Sequence, residues 1–235
     1  MAKKKFIMFD FDNTLVDSLK FWYKSIDQEA FKHFQSKRNK NFADARIGLT
    51  NHEIAKCFTE FAETKPKVNE VLKFWHERMI YYYTNKIKIV PGVKEFLDTL
   101  KQNGHTLVLA SATPMKVLKV AVKHFGFEKY FDHIFTEESL KAPKREPLFY
   151  INLLNELGIS SKDLFVFEDS FVSLTSANTL KIKTCAISHR FNRKKLCMLG
   201  KCNKLIIKNY KSKKLKQLTF WKYVNKTWYV IYTYI

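Results

Sequence analysis

The chain is short of glycine, proline and cysteine: its 235 residues include only six glycines, five prolines and four cysteines. The cysteines are scattered along the sequence at Cys57, Cys185, Cys197 and Cys202. Scattered cysteines argue against a disulfide framework and favour a reducing compartment. No leader-like segment precedes the apolar residues that begin at Phe6, so we expect a cytoplasmic protein.

Long apolar runs and acidic residues are also scarce. No stretch approaches the roughly 18 apolar residues that a membrane-spanning helix needs, because Lys222 and Lys226 interrupt even the apolar C-terminal end. Acidic residues number 22 against 42 lysines and arginines, a net charge of +20. The densest basic cluster lies at 190–216, whereas most other lysines lie on polar faces of predicted helices. We therefore expect no membrane span and no specific nucleic-acid partner, while the positive field favours anionic substrates.

Apolar residues are plentiful and are arranged in alternating elements. Hydrophobic residues make up 46% of the chain, enough for a well-buried core. Strands are predicted at 6–9, 106–110, 133–135, 164–167, 182–187 and 205–207. Helices are predicted to begin near residues 93, 114 and 147 and to end at Gly104, Gly126 and Gly158. This alternation predicts an α/β fold with a doubly wound parallel sheet and a Rossmann-like core.

An all-helical insert is predicted between the first strand and the rest of this core. Apolar residues recur at helical spacing from Leu19 to Phe34, from Ile54 to Phe61 and from Val68 to Tyr83. We therefore predict an α/β core at 1–16 and 88–210 and a helical domain at 17–87. A basic and aromatic C-terminal extension follows at 211–235, and its residues after Thr219 favour a β-hairpin.

Pairs of acids follow two of the predicted strands. Asp10 and Asp12 come just after strand 6–9, and Glu168 and Asp169 come just after strand 164–167. Since the carboxyl ends of parallel strands meet at one edge of a sheet, we expect these carboxylates to converge. Carboxylates this close repel one another unless a cation lies between them, and oxygen ligands suit Mg2+. The candidate metal ligands are Asp10, Asp12, Glu168 and Asp169.

Two further segments supply candidate phosphate ligands. Ser111 and the backbone N–H of Ala112 follow strand 106–110 at the start of a helix, where an anion can bind. A helix cap is the alternative role of Ser111. Lys144 lies three residues before Pro147, which opens another helix, and its charge can neutralise a phosphoryl group. The alternative for Lys144 is an ordinary surface lysine.

In this order, these residues resemble the motifs of the haloacid dehalogenase-like hydrolase superfamily. The resemblance is to the branch with a helical cap, which contains phosphoglycolate phosphatases and β-phosphoglucomutases, and it covers about residues 4–210. The first motif is matched by Asp10-Phe11-Asp12-Asn13-Thr14, the second by Ser111, the third by Lys144 and the fourth by Glu168-Asp169-Ser170. The resemblance implies that Asp10 is the nucleophile and Asp12 the general acid/base. It implies that Ser111 and Lys144 bind the phosphoryl group and that Glu168 and Asp169 bind the metal. Arg46 is the candidate specificity residue of the cap.

The function implied is Mg2+-dependent hydrolysis of a small phosphorylated metabolite through an aspartyl-phosphate intermediate. An acid at position 12 argues against the dehalogenase and phosphonatase branches. Two alternatives stay open, a sugar-phosphate mutase of the β-phosphoglucomutase type and a catalytically weak basic binding protein. The chain departs from the family pattern at Arg145, Leu148 and Ser173. The spacing of His189, Cys197 and Cys202 does not favour a zinc site, and the sequence does not determine the oligomeric state.

Overall fold

A computed structural model describes residues 5–37, 42, 49–189, 192–193, 196 and 205–211 of the chain. The cap candidate Arg46, most of the basic cluster at 190–216 and the hairpin predicted after Thr219 lie outside these residues. Among the described residues, no helix combines the length and apolar character required to cross a membrane.

Six parallel strands form a single sheet. They are β1 (Phe6–Phe9), β2 (Thr106–Ser111), β3 (His133–Thr136), β4 (Leu164–Glu168), β5 (Lys183–Ile187) and β6 (Leu205–Ile207). Their order is β3-β2-β1-β4-β5-β6. In the register, Phe9 at the end of β1 is paired with Leu109 of β2 on one side and with Phe167 of β4 on the other. The predicted α/β class and doubly wound parallel sheet are confirmed, and β1 lies between the strands that carry the second and fourth motifs.

Helices occupy the connections between these strands. They are α1 (Asp27–His33), α2 (Asn51–Phe61), α3 (Val68–Asn85), α4 (Val93–Gln102), α5 (Met115–Phe125), α6 (Glu137–Leu140), α7 (Pro147–Leu157) and α8 (Phe171–Thr179). A π-helical segment, Phe21–Ile26, precedes α1, so the helix predicted from Leu19 is not α-helical throughout. Two helices were not predicted from the sequence: α6 is a single turn, and serine, threonine and asparagine interrupt the apolar pattern of α8. The helices α1 to α3 make up the insert, whose limits at 17 and 87 stay a prediction.

The two chain segments that join the insert to the core pair with each other. Asp17 donates its backbone N–H to the carbonyl of Lys88 at 2.9 Å, and Val90 donates to the carbonyl of Leu15 at 2.9 Å. Gly92 follows with φ of 85°, and a Cβ on it would lie 2.8 Å from the backbone nitrogen of Lys211. Only glycine combines this conformation with so close an approach. The returning chain is therefore held tightly against the segment after β6.

Three of the four residues of the central strand β1 are fully buried. Ile7, Met8 and Phe9 have no exposed surface, as expected for a parallel strand covered on both faces. The ring of Phe9 stacks on that of Phe167 with 4.7 Å between centroids and 6° between planes. This packing fixes β1 against β4 and so fixes the residues that follow both strands.

Candidate active site

Three acids from the first and fourth motifs lie together at the carboxyl edge of the sheet. Asp10 follows β1, and its backbone N–H donates to the carbonyl of Phe167 at 2.9 Å, which extends the pairing with β4 by one residue. Glu168 ends β4, and Asp169 follows it. One carboxylate oxygen from each of Asp10, Glu168 and Asp169 lies within 4.8 Å of the others. The register of two adjacent strands therefore produces the acidic cluster.

Lys144 lies inside this cluster and not on the surface. Its Nζ is 2.7 Å from Oδ1 of Asp10 and 2.6 Å from Oε2 of Glu168, and it donates to the carbonyl of Ala110 at 3.1 Å. Lys144 is only 4% exposed. The loop that carries it is anchored by Glu137, which accepts the backbone N–H of Lys144 at 2.8 Å. The lysine therefore pairs with two buried carboxylates.

Burial shifts the pKa values of these groups. It raises the pKa of Asp10 from 3.8 to about 7, with a contribution from the charge of Glu168, while Lys144 acts in the opposite direction. Burial likewise raises the pKa of Glu168 to about 7 against the effect of Lys144. Burial favours the neutral amine of Lys144, yet the charges of Asp10 and Glu168 raise its pKa well above the ordinary range. The cluster thus contains three acids, and Lys144 pairs with two of them.

This donor set fits a hard divalent cation. The three side chains offer only oxygen atoms, the ligands that Mg2+ prefers, and a cation would offset their mutual repulsion. Asp12 does not belong to the cluster of three, so its role as a metal ligand stays a prediction.

Residues after β5 hold Asp169. The Nε2 of His189 lies 3.0 Å from Oδ2 of Asp169, and the side-chain amide of Asn192 donates to the Asp169 carbonyl at 2.8 Å. From the sequence, His189 was weighed only as a zinc ligand. Its position two residues beyond β5, at the same sheet edge, was the signal that could have placed it beside Asp169.

Asp12 is oriented by hydroxyl groups from two different elements. Tyr83, in the last turn of α3, donates to Oδ1 at 2.7 Å, and Thr113, between β2 and α5, donates to Oδ2 at 2.7 Å. The backbone reverses at Asn13, whose φ of 60° is tolerated by asparagine and whose side-chain oxygen accepts the N–H of Leu19 at 2.6 Å. Neither Tyr83 nor Thr113 was a predicted site residue.

The second motif lies at the end of β2. Ser111 is buried, and its Oγ accepts the backbone N–H of Thr113 at 3.0 Å. A hydroxyl can accept one hydrogen bond and still donate another, so this contact is compatible with a phosphate ligand. Ala112 is exposed, and its carbonyl accepts the side-chain amide of Asn51 from α2 at 2.8 Å. The insert therefore contacts the core directly beside the second motif.

A cavity of ≈ 200 Å³ lies between the insert and the core. Its core side is formed by Asp12, Ala112 and Thr113, and its insert side includes Trp22 and Trp75. Another cavity, of ≈ 520 Å³, lies next to β5 and β6 and is lined by His189. None of the three clustered acids lines either cavity. The smaller cavity is the one that Asp12 of the first motif lines.

An ion pair also joins the insert to the core. Arg145, which departs from the family pattern, places its two terminal nitrogens 2.8 and 3.0 Å from the two carboxylate oxygens of Glu53 in α2. Hydrogen bonds from Arg145 and from the backbone of Thr50 lower the pKa of Glu53 to about 2. The side chains are 29% and 42% exposed, so salt will screen the pair.

Replacing Arg145 with Met should therefore weaken the contact between insert and core. A partly exposed pair contributes about 0.2 to 1 kcal/mol, so we expect KM to rise by up to about fivefold. Added salt should raise KM more in the wild type than in the variant. Arg78→Met is a matched control, since Arg78 pairs with Glu29 within the insert and is similarly exposed at 30%. Equal KM values and equal salt responses in wild type and Arg145→Met would contradict this reading.

The fold and the site together define an α/β enzyme with an acidic, oxygen-lined centre at the end of β1. The chain belongs to the haloacid dehalogenase-like hydrolase family, which matches residues 7–187. This confirms the family resemblance seen in the motifs and the prediction that the protein is an enzyme of the hydrolase class.

Named relatives agree with this assignment. A phosphorylated carbohydrates phosphatase of Thermotoga maritima is 26% identical over 181 residues, covering 75% of this chain and 82% of that protein. A phosphoglycolate phosphatase of Pasteurella multocida is 28% identical over 207 residues, covering 82% and 89%. Among solved structures, a β-phosphoglucomutase of Clostridium difficile has a TM-score of 0.72 at 17% identity and covers 95% of this chain and 100% of that one. The structural match shows a shared fold.

Proposed function

We propose that this protein is a Mg2+-dependent phosphatase that hydrolyses a small phosphorylated metabolite through an aspartyl-phosphate on Asp10. The observation that carries the proposal is the position of Asp10 at the end of β1. Its Oδ1 lies 2.7 Å from the Nζ of Lys144, and one of its carboxylate oxygens lies within 4.8 Å of an oxygen of Glu168 and an oxygen of Asp169. A carboxylate held next to a buried cation at this edge is suited to in-line attack on a phosphoryl group.

In the first step, a carboxylate oxygen of Asp10 attacks phosphorus, and the bond from phosphorus to the leaving oxygen breaks. Asp12, in its protonated form, transfers its proton to that oxygen. In the second step, a water molecule loses a proton to Asp12 and attacks phosphorus. The bond from phosphorus to the Asp10 oxygen breaks, which releases phosphate and restores the Asp10 carboxylate. Asp12 lines the cavity between insert and core, from which it can reach a leaving group.

Lys144, Ser111 and the N–H of Ala112 are proposed to hold the phosphoryl oxygens. Lys144 already has two carboxylate partners, and its raised pKa keeps it charged. Such a fixed charge stabilises the oxygens as negative charge develops on them. Asp10, Glu168 and Asp169 would hold Mg2+, which when bound supplies further positive charge to the phosphoryl group.

The cavity supports a small leaving group. Its ≈ 200 Å³ is below the roughly 300 Å³ at which drug-sized ligand pockets begin. Arg46 remains the proposed specificity residue, by its match to the family's cap turn. The related phosphatases act on phosphorylated carbohydrates and phosphoglycolate by their names, so both compound classes belong in a substrate screen.

The primary test is phosphate release from sugar phosphates, phosphoglycolate, nucleotides and small phosphoesters, with and without Mg2+. We expect release of phosphate from at least one small compound, with loss of activity on chelation. The absence of Mg2+-dependent release across the screen, together with salt-sensitive nucleic-acid binding, would favour the basic binding protein. A sugar-phosphate mutase, the alternative suggested by the shared β-phosphoglucomutase fold, would isomerise a hexose phosphate without releasing phosphate.

Mg2+ should stabilise the protein more at about pH 8 than at about pH 5. The pKa values of Asp10 and Glu168 in the folded protein are about 7, above their ordinary 3.8 and 4.5. Between about pH 4 and about pH 7, the folded, metal-free protein binds more protons than the unfolded chain. The free energy of unfolding therefore falls as pH rises through this range. Protons and Mg2+ compete for the same carboxylates.

Differential scanning calorimetry should therefore show a larger Mg2+-induced rise in Tm above pH 7 than below it. At 100 times Kd the rise should be on the order of 5 °C or more. The surface variant Asp132→Asn should keep this pH-dependent rise, whereas Asp169→Asn should reduce it. A rise of equal size at both pH values would argue against these carboxylates as the Mg2+ ligands.

A further inference from the structure

We propose that Tyr83 and Thr113 are positioning residues that hold the carboxylate of Asp12 in the orientation for proton transfer. This inference rests on the proposed function, in which Asp12 is the general acid/base. It adds a residue of the helical insert to the catalytic arrangement, at a position that the motifs of the sequence do not include.

The geometry around Asp12 carries the inference. Tyr83 donates its phenolic hydrogen to Oδ1 at 2.7 Å, and Thr113 donates its hydroxyl hydrogen to Oδ2 at 2.7 Å. Both distances are ordinary for hydrogen bonds from hydroxyl donors, so both contacts are well formed. Because a different donor holds each oxygen, rotation of the carboxylate about its terminal bond would break both hydrogen bonds.

Packing fixes Tyr83 in this position. The residue has no exposed surface. The ring meets those of Phe11 and Phe125 edge to face, with centroids 5.5 and 6.5 Å apart. Burial, with the charge of Asp12, raises the pKa of Tyr83 well above its ordinary value, so the phenol keeps its proton and remains a donor. An aromatic ring held on several sides has few alternative rotamers, and its hydroxyl is correspondingly well placed.

The two donors come from different parts of the fold. Tyr83 lies in the last turn of α3, next to the chain segments that connect insert and core, whereas Thr113 follows β2 of the core. Asp12 and Thr113 line the cavity between insert and core, and Tyr83 is buried away from solvent. Tyr83 therefore acts through Asp12 and need not touch substrate. The orientation of Asp12 depends on α3 remaining packed against the core.

Tyr83→Phe tests this idea because it removes a single hydroxyl and keeps the ring. The leaving oxygen of an alkyl phosphate needs the proton from Asp12, whereas p-nitrophenolate leaves as a stable anion. For an alkyl phosphate that the wild type hydrolyses, we expect kcat to fall by about 10 to 100-fold with KM changed less than about twofold. Single-turnover release of p-nitrophenolate from p-nitrophenyl phosphate should fall by less than about threefold.

Tyr82→Phe is the matched control. The neighbouring Tyr82 also donates its hydroxyl to a carboxylate, that of Glu29, within the insert and away from Asp12. This variant should behave as the wild type with both substrates. Thr113→Val is the second test variant and should show the same selective loss as Tyr83→Phe. Circular dichroism and gel filtration report folding, and if Tyr83→Phe does not fold, Thr113→Val decides the matter.

The outcomes separate this inference from the proposed function. Equal losses with both substrates, or unchanged kcat for the alkyl phosphate, would show that the hydroxyls are merely structural. Suppose that Asp12→Asn is inactive with the alkyl phosphate, whereas both Tyr83→Phe and Thr113→Val have wild-type activity. The inference then fails, and the proposed function stands. If Asp12→Asn itself keeps wild-type activity, the general acid/base assignment fails and this inference fails with it.

Discussion

Asp10→Asn should abolish turnover, with a loss of at least about 10⁴-fold in kcat, because it removes the proposed nucleophile. The amide has nearly the shape of the carboxylate, but it cannot form the acyl-phosphate bond. Asn should not destabilise the fold, because burial disfavours the charged form of Asp10 and Lys144 retains its ion pair with Glu168 at 2.6 Å.

Phosphate release measures the loss, and mass spectrometry of acid-quenched reactions should detect a phosphorylated form in the wild type only. Asp132→Asn is the control, since Asp132 pairs with Lys101 on the surface, 2.8 Å away, far from β1's carboxyl end. Turnover above a few per cent of wild type in Asp10→Asn would rule out Asp10 as the nucleophile. Detection of phosphorylated Asp10→Asn protein in the same yield as phosphorylated wild type would also rule out Asp10 as the nucleophile.

Lys144→Met should damage both activity and stability. Lys144 is the cation facing the carboxylates of Asp10 and Glu168, and its removal leaves their charges buried without this partner. Removing one partner of a buried ion pair lowers the free energy of unfolding by about 3 to 5 kcal/mol. In the proposed mechanism Lys144 also stabilises the phosphoryl oxygens, so its loss should lower kcat by about 10² to 10³-fold.

Urea unfolding followed by circular dichroism measures the first effect, and phosphate release measures the second. Lys101→Met gives the matched comparison, because the pair of Lys101 with Asp132 is about one-third exposed, with side-chain exposures of 35% and 37%. Breaking such a pair should cost at most about 1 kcal/mol and leave kcat unchanged. If Lys144→Met unfolded at the same urea concentration as Lys101→Met, the buried ion pair would not have the energetic role assigned to it.

The acids of the site could be predicted from the sequence because strand position determines them. Asp10 and Glu168 each follow an apolar run, and the parallel register pairs Phe9 with Phe167. Residues directly after those partners are therefore neighbours in space. The same logic brings Ser111 to this edge. The position of Lys144 was less certain from sequence, because most lysines lie on surfaces, and only the fold places this one at 4% exposure.

The roles of Tyr83 and Arg145 were not predicted, because each residue fits a more common role in the sequence pattern. Tyr83 occupies an apolar position of a helix, so the 3.6-residue period predicts its burial and says nothing about its hydroxyl. Arg145 appears in the sequence only as a departure from a family pattern, whereas in the fold it pairs with Glu53 of the insert. Both roles depend on contacts between segments more than 70 residues apart.

The sequence by itself determined the α/β class, the helical insert's place after the first strand, and the motif acids, because these follow from local periodicity and from the common edge of parallel strands. Tertiary structure alone decided which side chains hold Asp12, which carboxylates share Lys144, and how the insert meets the core. Such contacts depend on the angles and distances at which helices pack on the sheet, and residue spacing along a chain does not specify these.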